Sequence, residues 1–135
     1  MSYGEKKLVR MNFPSFDFGG TANTEIMAFD LPVSEKGVSM QAQLVDIGVM
    51  VTEATVFATT LGTVKVGTAG TAAAFATLSI PDASADASCV NIAEDTDAIT
   101  EDTIPSGTLV QVTFAPGTGA SLAGIGIPYI DMYVW

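Results

Sequence analysis

The chain of 135 residues contains no histidine and only one cysteine, Cys89. Without an imidazole, neither a Ser-His-Asp triad nor a Cys-His pair can form, and the commonest zinc ligand is missing. A single cysteine cannot close an internal disulfide, and Cys89 has no nearby cation to activate its thiol. We therefore expect no enzyme activity and no catalytic, cofactor or metal residues, and we interpret Cys89 as a small buried residue.

Basic residues are also scarce, with five Lys and Arg against fifteen Asp and Glu, which gives a net charge of −10. Nucleic-acid phosphates repel such an acidic chain, so we expect no DNA or RNA partner. Three of the five cations, Lys6, Lys7 and Arg10, lie in the first ten residues. The sequence therefore predicts an acidic body with a basic N-terminal segment.

Long apolar runs are missing as well, since no segment reaches the roughly 18 apolar residues that cross a bilayer. The start, MSYGEKKLVRMNF, carries positive charge with no apolar stretch behind it, which is not the pattern of a secretory signal. We therefore expect no membrane partner and synthesis in a cytoplasm.

Short alternating segments separated by Gly, Pro and Asp dominate what remains, and they indicate strands. In the stretch 109–115, Val110, Val112 and Phe114 share one face, with Gln111 and Thr113 on the other. Two further segments alternate in the same way. In the first, the buried face carries Val45, Ile47, Val49 and Val51, and in the last, Ile130, Met132 and Val134 share one face. The spacing predicts an all-β sandwich or barrel of about eight short strands.

The segment NFPSFDFGG precedes the first predicted strand and carries Phe13, Phe16 and Phe18 around Pro14. Proline disfavours a helix here, and three aromatics in six residues are too apolar for a solvated tail. We predict an extended N-terminal arm over residues 1–23, packed on this body or on a neighbouring chain, and a sandwich domain over 24–135.

The stretch AEDTDAITED is the best candidate for a ligand site, because calcium prefers oxygen ligands on a loop. Its acidic residues are Glu94, Asp95, Asp97, Glu101 and Asp102. The EF-hand pattern fails at Ile99, Thr100 and Ser106, which leaves a solvated acidic loop or a calcium loop of another type. A glycosidase also needs paired acids, but the aromatics that would hold a sugar lie far away in sequence.

Two segments, TVKVGTAGTAAAF and DTIPSGTLVQVTFAPGTGASLAGIGI, followed by a closing alternating strand, resemble the jelly-roll capsid decoration (cement) proteins of tailed bacteriophages. The pattern is an Ile-Pro-x-Gly turn at 104–107, an alternating strand, a Gly-rich turn and a final strand, and it covers roughly residues 43–135. Phage fibre-base and tail proteins are similar.

The resemblance implies an all-β, jelly-roll-like β-sandwich of about eight short antiparallel strands. It also implies a protein without an active site that sits on the outer capsid surface of the virion, often as a trimer, and bridges major capsid protein subunits. As partners we expect the major capsid protein and further copies of the chain, with a trimer favoured over a dimer. Two alternatives stay open: a jelly-roll fibre, tail or receptor-binding module, and a carbohydrate-binding domain.

The residues expected to make these contacts fall into two groups. The arm residues that we predict to contact the capsid or another subunit are Lys6, Lys7, Arg10, Phe13, Phe16 and Phe18. The predicted subunit-interface residues are the aromatics of the last strand, Tyr129, Tyr133 and Trp135, because an exposed aromatic stripe is an association surface.

Overall fold

A computed structural model describes residues 6–20, 24–33, 36–92 and 99–135. Ten β-strands form in these ranges, and all their pairings are antiparallel. In chain order they are β1 (Lys7–Asn12), β2 (Phe16–Asp17), β3 (Glu25–Asp30), β4 (Ala42–Val56), β5 (Thr63–Gly67), β6 (Ala76–Ser79), β7 (Cys89–Asn91), β8 (Thr103–Ile104), β9 (Leu109–Ala115) and β10 (Ala123–Val134). Among these residues no helix is long and apolar enough to cross a membrane.

The strands form two sheets packed face to face. The six-stranded sheet runs β1-β10-β4-β7, with β2 beside β10 and β8 beside β4, and the four-stranded sheet runs β3-β9-β5-β6. The pairs β1–β10, β3–β9, β4–β7 and β5–β6 nest one inside the next along the chain. Nested antiparallel pairs rolled into two sheets make a jelly roll. The predicted sandwich of about eight strands is confirmed, with two further strands of two residues each.

The core lies between the sheets and is made by alternating residues of the central strands. Val110, Val112 and Phe114 of β9 are at most 1% exposed. From β10, Ile130 and Met132 face them and are 1% exposed. The inward face predicted for β9 is therefore confirmed, and so is the shared face predicted for Ile130 and Met132.

The predicted arm is wrong for residues 7–18, because this segment belongs to the sandwich. β1 pairs with β10 over six residues, and β2 pairs with the start of β10. Phe13, Phe16 and Phe18 are 8%, 4% and 1% exposed and belong to the core of this same chain. Phe13 and Phe16 lie 5.4 and 5.8 Å from the ring centroid of Phe114. These phenylalanines are consequently buried away from any capsid or neighbouring subunit.

The predicted face of β4 is wrong at Val45, which is 41% exposed instead of buried. Met132 of β10 lies opposite Leu44, whereas the preceding Asp131 lies opposite Asp46, so Val45 is an extra residue in the ladder. Such a β-bulge shifts the alternation by one residue, and Leu44 takes the inner position. Beyond the bulge Ile47, a predicted inward residue, is buried as expected.

The burial of Phe18 makes the N-terminal segment essential for stability. We expect Phe18→Ala to lower the free energy of unfolding by about 3–5 kcal/mol, because the fully buried ring leaves a cavity. Urea denaturation followed by fluorescence measures the change. Leu8→Ala is the control, since Leu8 is 60% exposed on neighbouring β1 and its removal should cost less than about 0.5 kcal/mol. Equal losses for the two variants would contradict the placement of Phe18 in the core.

Candidate functional site

The outer face of the six-stranded sheet gathers residues from both ends of the sequence. Because β1 pairs antiparallel with β10, Leu8 lies opposite Tyr133 and Arg10 lies opposite Asp131. Across β10 the ladder continues to β4 and β7. We define the outer face by these residues: Lys6, Leu8, Arg10, Gln43, Val45, Asp46, Met50, Cys89, Tyr129, Asp131, Tyr133 and Trp135.

Arg10 is held in place by an acid and an aromatic ring of β10. Its Nε and Nη2 donate to Oδ1 and Oδ2 of Asp131, each at 2.7 Å, in a bidentate pair. Its guanidinium carbon lies 4.4 Å from the ring centroid of Tyr129. The hydrogen bond to Asp131 raises the pKa of Arg10 above its usual range. Arg10 therefore covers the tyrosine as a charged, oriented plate.

Tyr129 lies beneath this guanidinium and is only 3% exposed. Its ring rests on Gly48 of β4, where a Cβ atom would come within 2.3 Å of the ring, so a side chain at position 48 would displace it. Its hydroxyl donates to Oδ2 of Asp46 at 3.0 Å and lies 3.4 Å from Sγ of Cys89. Burial, followed by these hydrogen bonds, raises the pKa of Tyr129.

A second cation–aromatic pair stands at the other end of β1. Nζ of Lys6 lies 4.4 Å from the ring centroid of Trp135 and donates to Oε1 of Gln43 at 3.2 Å. Nε2 of Gln43 in turn donates to Oδ2 of Asp102 at 3.2 Å, just before β8. These contacts join β1, β10, β4 and the approach to β8 across the outer face.

Exposed apolar side chains lie between these charged residues, whose positions are fixed by their hydrogen-bond and aromatic partners. Leu8 is 60% exposed, Met50 45%, Val45 41% and Tyr133 36%. Tyr, Trp, Met and Arg are the residue types enriched at protein–protein contacts, and apolar side chains between polar ones are typical of such surfaces. The outer face thus has the composition of a surface that binds another protein.

The structure brings together five of the nine predicted contact residues on this face: Lys6, Arg10, Tyr129, Tyr133 and Trp135. Tyr129 is a correction, because its burial under Arg10 leaves the ring unable to reach another subunit. Lys7 is exposed but lies opposite inward-pointing Val134, which puts it on the other side of β1. The prediction therefore found the correct strands and misassigned part of their side chains.

Three exposed residues of the outer face, Leu8, Val45 and Met50, were missed in the sequence. The alternation around Met50, which separates Val49 from Val51, was a usable signal. Val45 carried none, because nothing local distinguishes a bulged residue from a regular one. Leu8 was hidden within the basic segment that we interpreted as an arm.

Cys89 is exposed, so its predicted burial is wrong. β7 pairs with β4 only through three residues, and the alternation turns Val90 inward at 7% exposure and Cys89 outward. The free thiol is therefore part of the outer face, next to the hydroxyl of Tyr129.

Most of the acidic stretch proposed as a calcium loop, with Glu94, Asp95 and Asp97, lies outside the described residues. Its last two acids are exposed, and Oε1 of Glu101 accepts a hydrogen bond from the backbone N–H of Thr103 at 3.2 Å. In the part of the chain that the structure describes, no three His, Cys, Asp or Glu side chains are grouped to hold a metal ion. A calcium loop at this position stays a prediction.

Comparison of the chain with protein-family models, with curated proteins and with solved structures found no match. The jelly roll and its outer face are therefore the features from which a function can be argued. Of these, the outer face is the more informative, because it combines cation–aromatic pairs with exposed apolar side chains.

The raised pKa of Tyr129 gives a testable pH dependence. The folded state favours the protonated phenol, whereas an unfolded tyrosine ionises near pH 10, so this stability is complete below about pH 10 and is lost as the pH rises through the folded-state pKa. We expect the free energy of unfolding to fall more steeply between about pH 9 and pH 11 in the wild type than in Tyr129→Phe.

Urea titrations at both pH values measure this difference. At neutral pH Tyr129→Phe should cost about 1–3 kcal/mol, because the carboxylate of Asp46 loses its donor. Tyr133→Phe is the control at neutral pH, and it should cost less than about 0.5 kcal/mol because Tyr133 is 36% exposed. If Tyr129→Phe kept the wild-type slope, the assignment of this pH dependence to the Tyr129 hydroxyl would be refuted.

Proposed function

We propose that this protein is a structural protein of a tailed-bacteriophage virion, a capsid decoration or cement protein that binds the outer surface of the major capsid protein lattice. The observation that carries the proposal is the outer face of the six-stranded sheet, with exposed apolar side chains set among two cation–aromatic pairs. The sequence resemblance to decoration proteins supports the identity of the partner.

The fixed side-chain conformations of the outer face favour a protein partner. Arg10 and Lys6 are already fixed by Asp131 and Gln43, so binding orders few additional rotamers on this side. Leu8, Met50 and Tyr133 then supply apolar area that gains from being removed from water. A pre-ordered surface of this kind suits a rigid, repeated lattice better than a flexible ligand.

Cementing follows from linkage between binding and lattice stability. A copy that contacts adjacent capsid subunits binds the intact lattice and loses contacts when the subunits separate, so it stabilises the assembled state. The acidic remainder of the chain, within a net charge of −10, stays solvated and directs the outer face toward the shell. No covalent chemistry is required for this role.

The carbohydrate-binding alternative is disfavoured by the position of the aromatic rings. Sugar recognition needs an open ring face, whereas Lys6 stands over Trp135 and Arg10 stands over Tyr129. Tyr129 is in addition only 3% exposed. Of the three aromatics of the last strand, Tyr133 alone remains to offer a platform.

Binding to capsids tests the proposal directly. We expect purified protein to cosediment with expanded, empty capsids that lack it, and Met50→Ser/Tyr133→Ser to bind at least about tenfold more weakly, a loss of about 1.4 kcal/mol. Both substituted residues lie on central strands of the outer face, away from its edges. The matched control is Leu61→Ser/Leu109→Ser, which removes two exposed apolar residues, 38% and 49% exposed, outside this face.

Two results would contradict the proposal. One is wild-type protein that fails to bind such capsids, and the other is a control variant that loses as much affinity as the outer-face variant. Electron microscopy of the virion adds the location, because a position on the tail would replace the decoration role by the fibre or receptor-binding role.

A further inference from the structure

Two strand edges are left open on one side of the sandwich. β1 ends the strand order of the six-stranded sheet, and β3 ends that of the four-stranded sheet. On the opposite side, the edge beside β6 is partly covered within the chain, because the carbonyl of Phe75 accepts the N–H groups of Thr100 and Glu101, close to β8. In the described part of the chain, no strand pairs with the outer edge of β1 or of β3.

The two edges carry opposite charge. Residues 6–12 contain Lys6, Lys7 and Arg10 and no acid, whereas Glu25–Asp30 contains two acids and no cation. Charges on an edge strand usually prevent edge-to-edge pairing, and here they do so for β1 against β1 and for β3 against β3. For β1 against β3 the same charges attract each other.

β3 also exposes apolar side chains on both of its faces. Ile26 is 59% exposed, and Met27 is 38% exposed although its partner Val112 is completely buried. Met27 thus lies on the inner face at a point where the other sheet does not cover it. An edge with unpaired backbone and uncovered apolar residues is suited to the addition of a strand.

We propose that a second copy of this chain binds here, with β1 of each copy pairing along β3 of the other. A twofold axis parallel to the strands brings both pairs together at once, because β1 and β3 flank the same side of the sandwich. One closed contact then covers all four edges and joins the sheets of the two copies into two continuous sheets.

Strand directions within the chain favour this arrangement. Phe13, directly after β1, contacts Phe114, which lies opposite Glu25 at the start of β3. The end of β1 and the start of β3 are therefore at the same position along the strand axis of the sandwich, which we call height. The two strands run in opposite directions from there. An axis parallel to the strands preserves these heights, so β1 meets β3 of the partner copy in antiparallel orientation.

The register follows from keeping the inner faces continuous. Val9 packs against the core from β1, and Met27 is on the inner face of β3, so we take the register that sets these two residues opposite each other. Counting outward from this pair places Lys6 opposite Asp30. The junction thereby joins an apolar pair at its centre to an opposite-charge pair at its end.

Charge reversal on each edge tests the pairing. Light scattering at roughly 100 μM should give the wild type twice the 13.9 kDa mass of the chain. Lys6→Glu/Lys7→Glu and Glu25→Lys/Asp30→Lys should each have the mass of a single chain, because both junctions become like-charged. An equimolar mixture of the two variants should regain twice the chain mass, because both junctions are again of opposite charge.

Matched controls change the same charge at other positions. Lys36→Glu/Lys65→Glu reverses the two remaining cations of the chain, and Glu53→Lys/Asp86→Lys reverses two exposed acids. Both controls should keep the wild-type mass. The outer-face variant Met50→Ser/Tyr133→Ser should keep it as well, so a failure to bind capsids and a failure to pair are separate results.

Three outcomes would overturn the inference. The first is wild-type protein with the mass of one chain, and the second is a mass of three chains, which the twofold arrangement does not allow. The third is a mixture of the two charge-reversed variants that keeps the mass of a single chain while both variants retain the wild-type circular dichroism spectrum.

Discussion

The antiparallel pairing of β1 with β10 is the interaction on which the rest of the structure depends. It joins the two ends of the sequence over six residues, from Lys7 against Val134 to Asn12 against Tyr129. The chain leaves β1 at a position from which Phe13, Phe16 and Phe18 enter the core. The same ladder sets Arg10 over Tyr129 and Lys6 over Trp135. Core closure and the outer face are thus two consequences of one strand pairing.

The outer face is constrained by the core behind it. In a strand, every inward residue fixes the position of its outward neighbours, so Ile130 and Met132 inside require Asp131 outside. The bulge at Val45 breaks this relation on β4, and it adds an apolar residue to the outer face without removing one from the core. The close approach of Tyr129 to Gly48 then brings the hydroxyl to Asp46.

Local sequence predicted the strand content and a sandwich or barrel because alternation and turn residues are properties of neighbouring positions, whereas the jelly roll was implied by the family resemblance. It also showed that Phe13, Phe16 and Phe18 must be buried. It could not show which chain buries them, since strand partners far apart in sequence leave no local signal. The same reason explains Cys89, whose exposure depends on how three residues of β7 align with β4. Several individual residues of the outer face could be predicted from the sequence. Their assembly into one surface could not, because it depends on strand pairings between distant parts of the chain.

The distribution of charge separates the outer face from the open edges. Arg10 is neutralised by Asp131 in a bidentate pair, so its charge is already engaged on the outer face. At the edges, Lys7 and Asp30 are exposed and lie on opposite sheets. Salt screens the charges of two copies, each with a net charge of −10, at separations beyond the ~8 Å screening length of physiological salt. Edge attraction therefore acts only at contact, where backbone hydrogen bonds and the burial of Val9 and Met27 must supply most of the pairing free energy, while the charges select which edges meet.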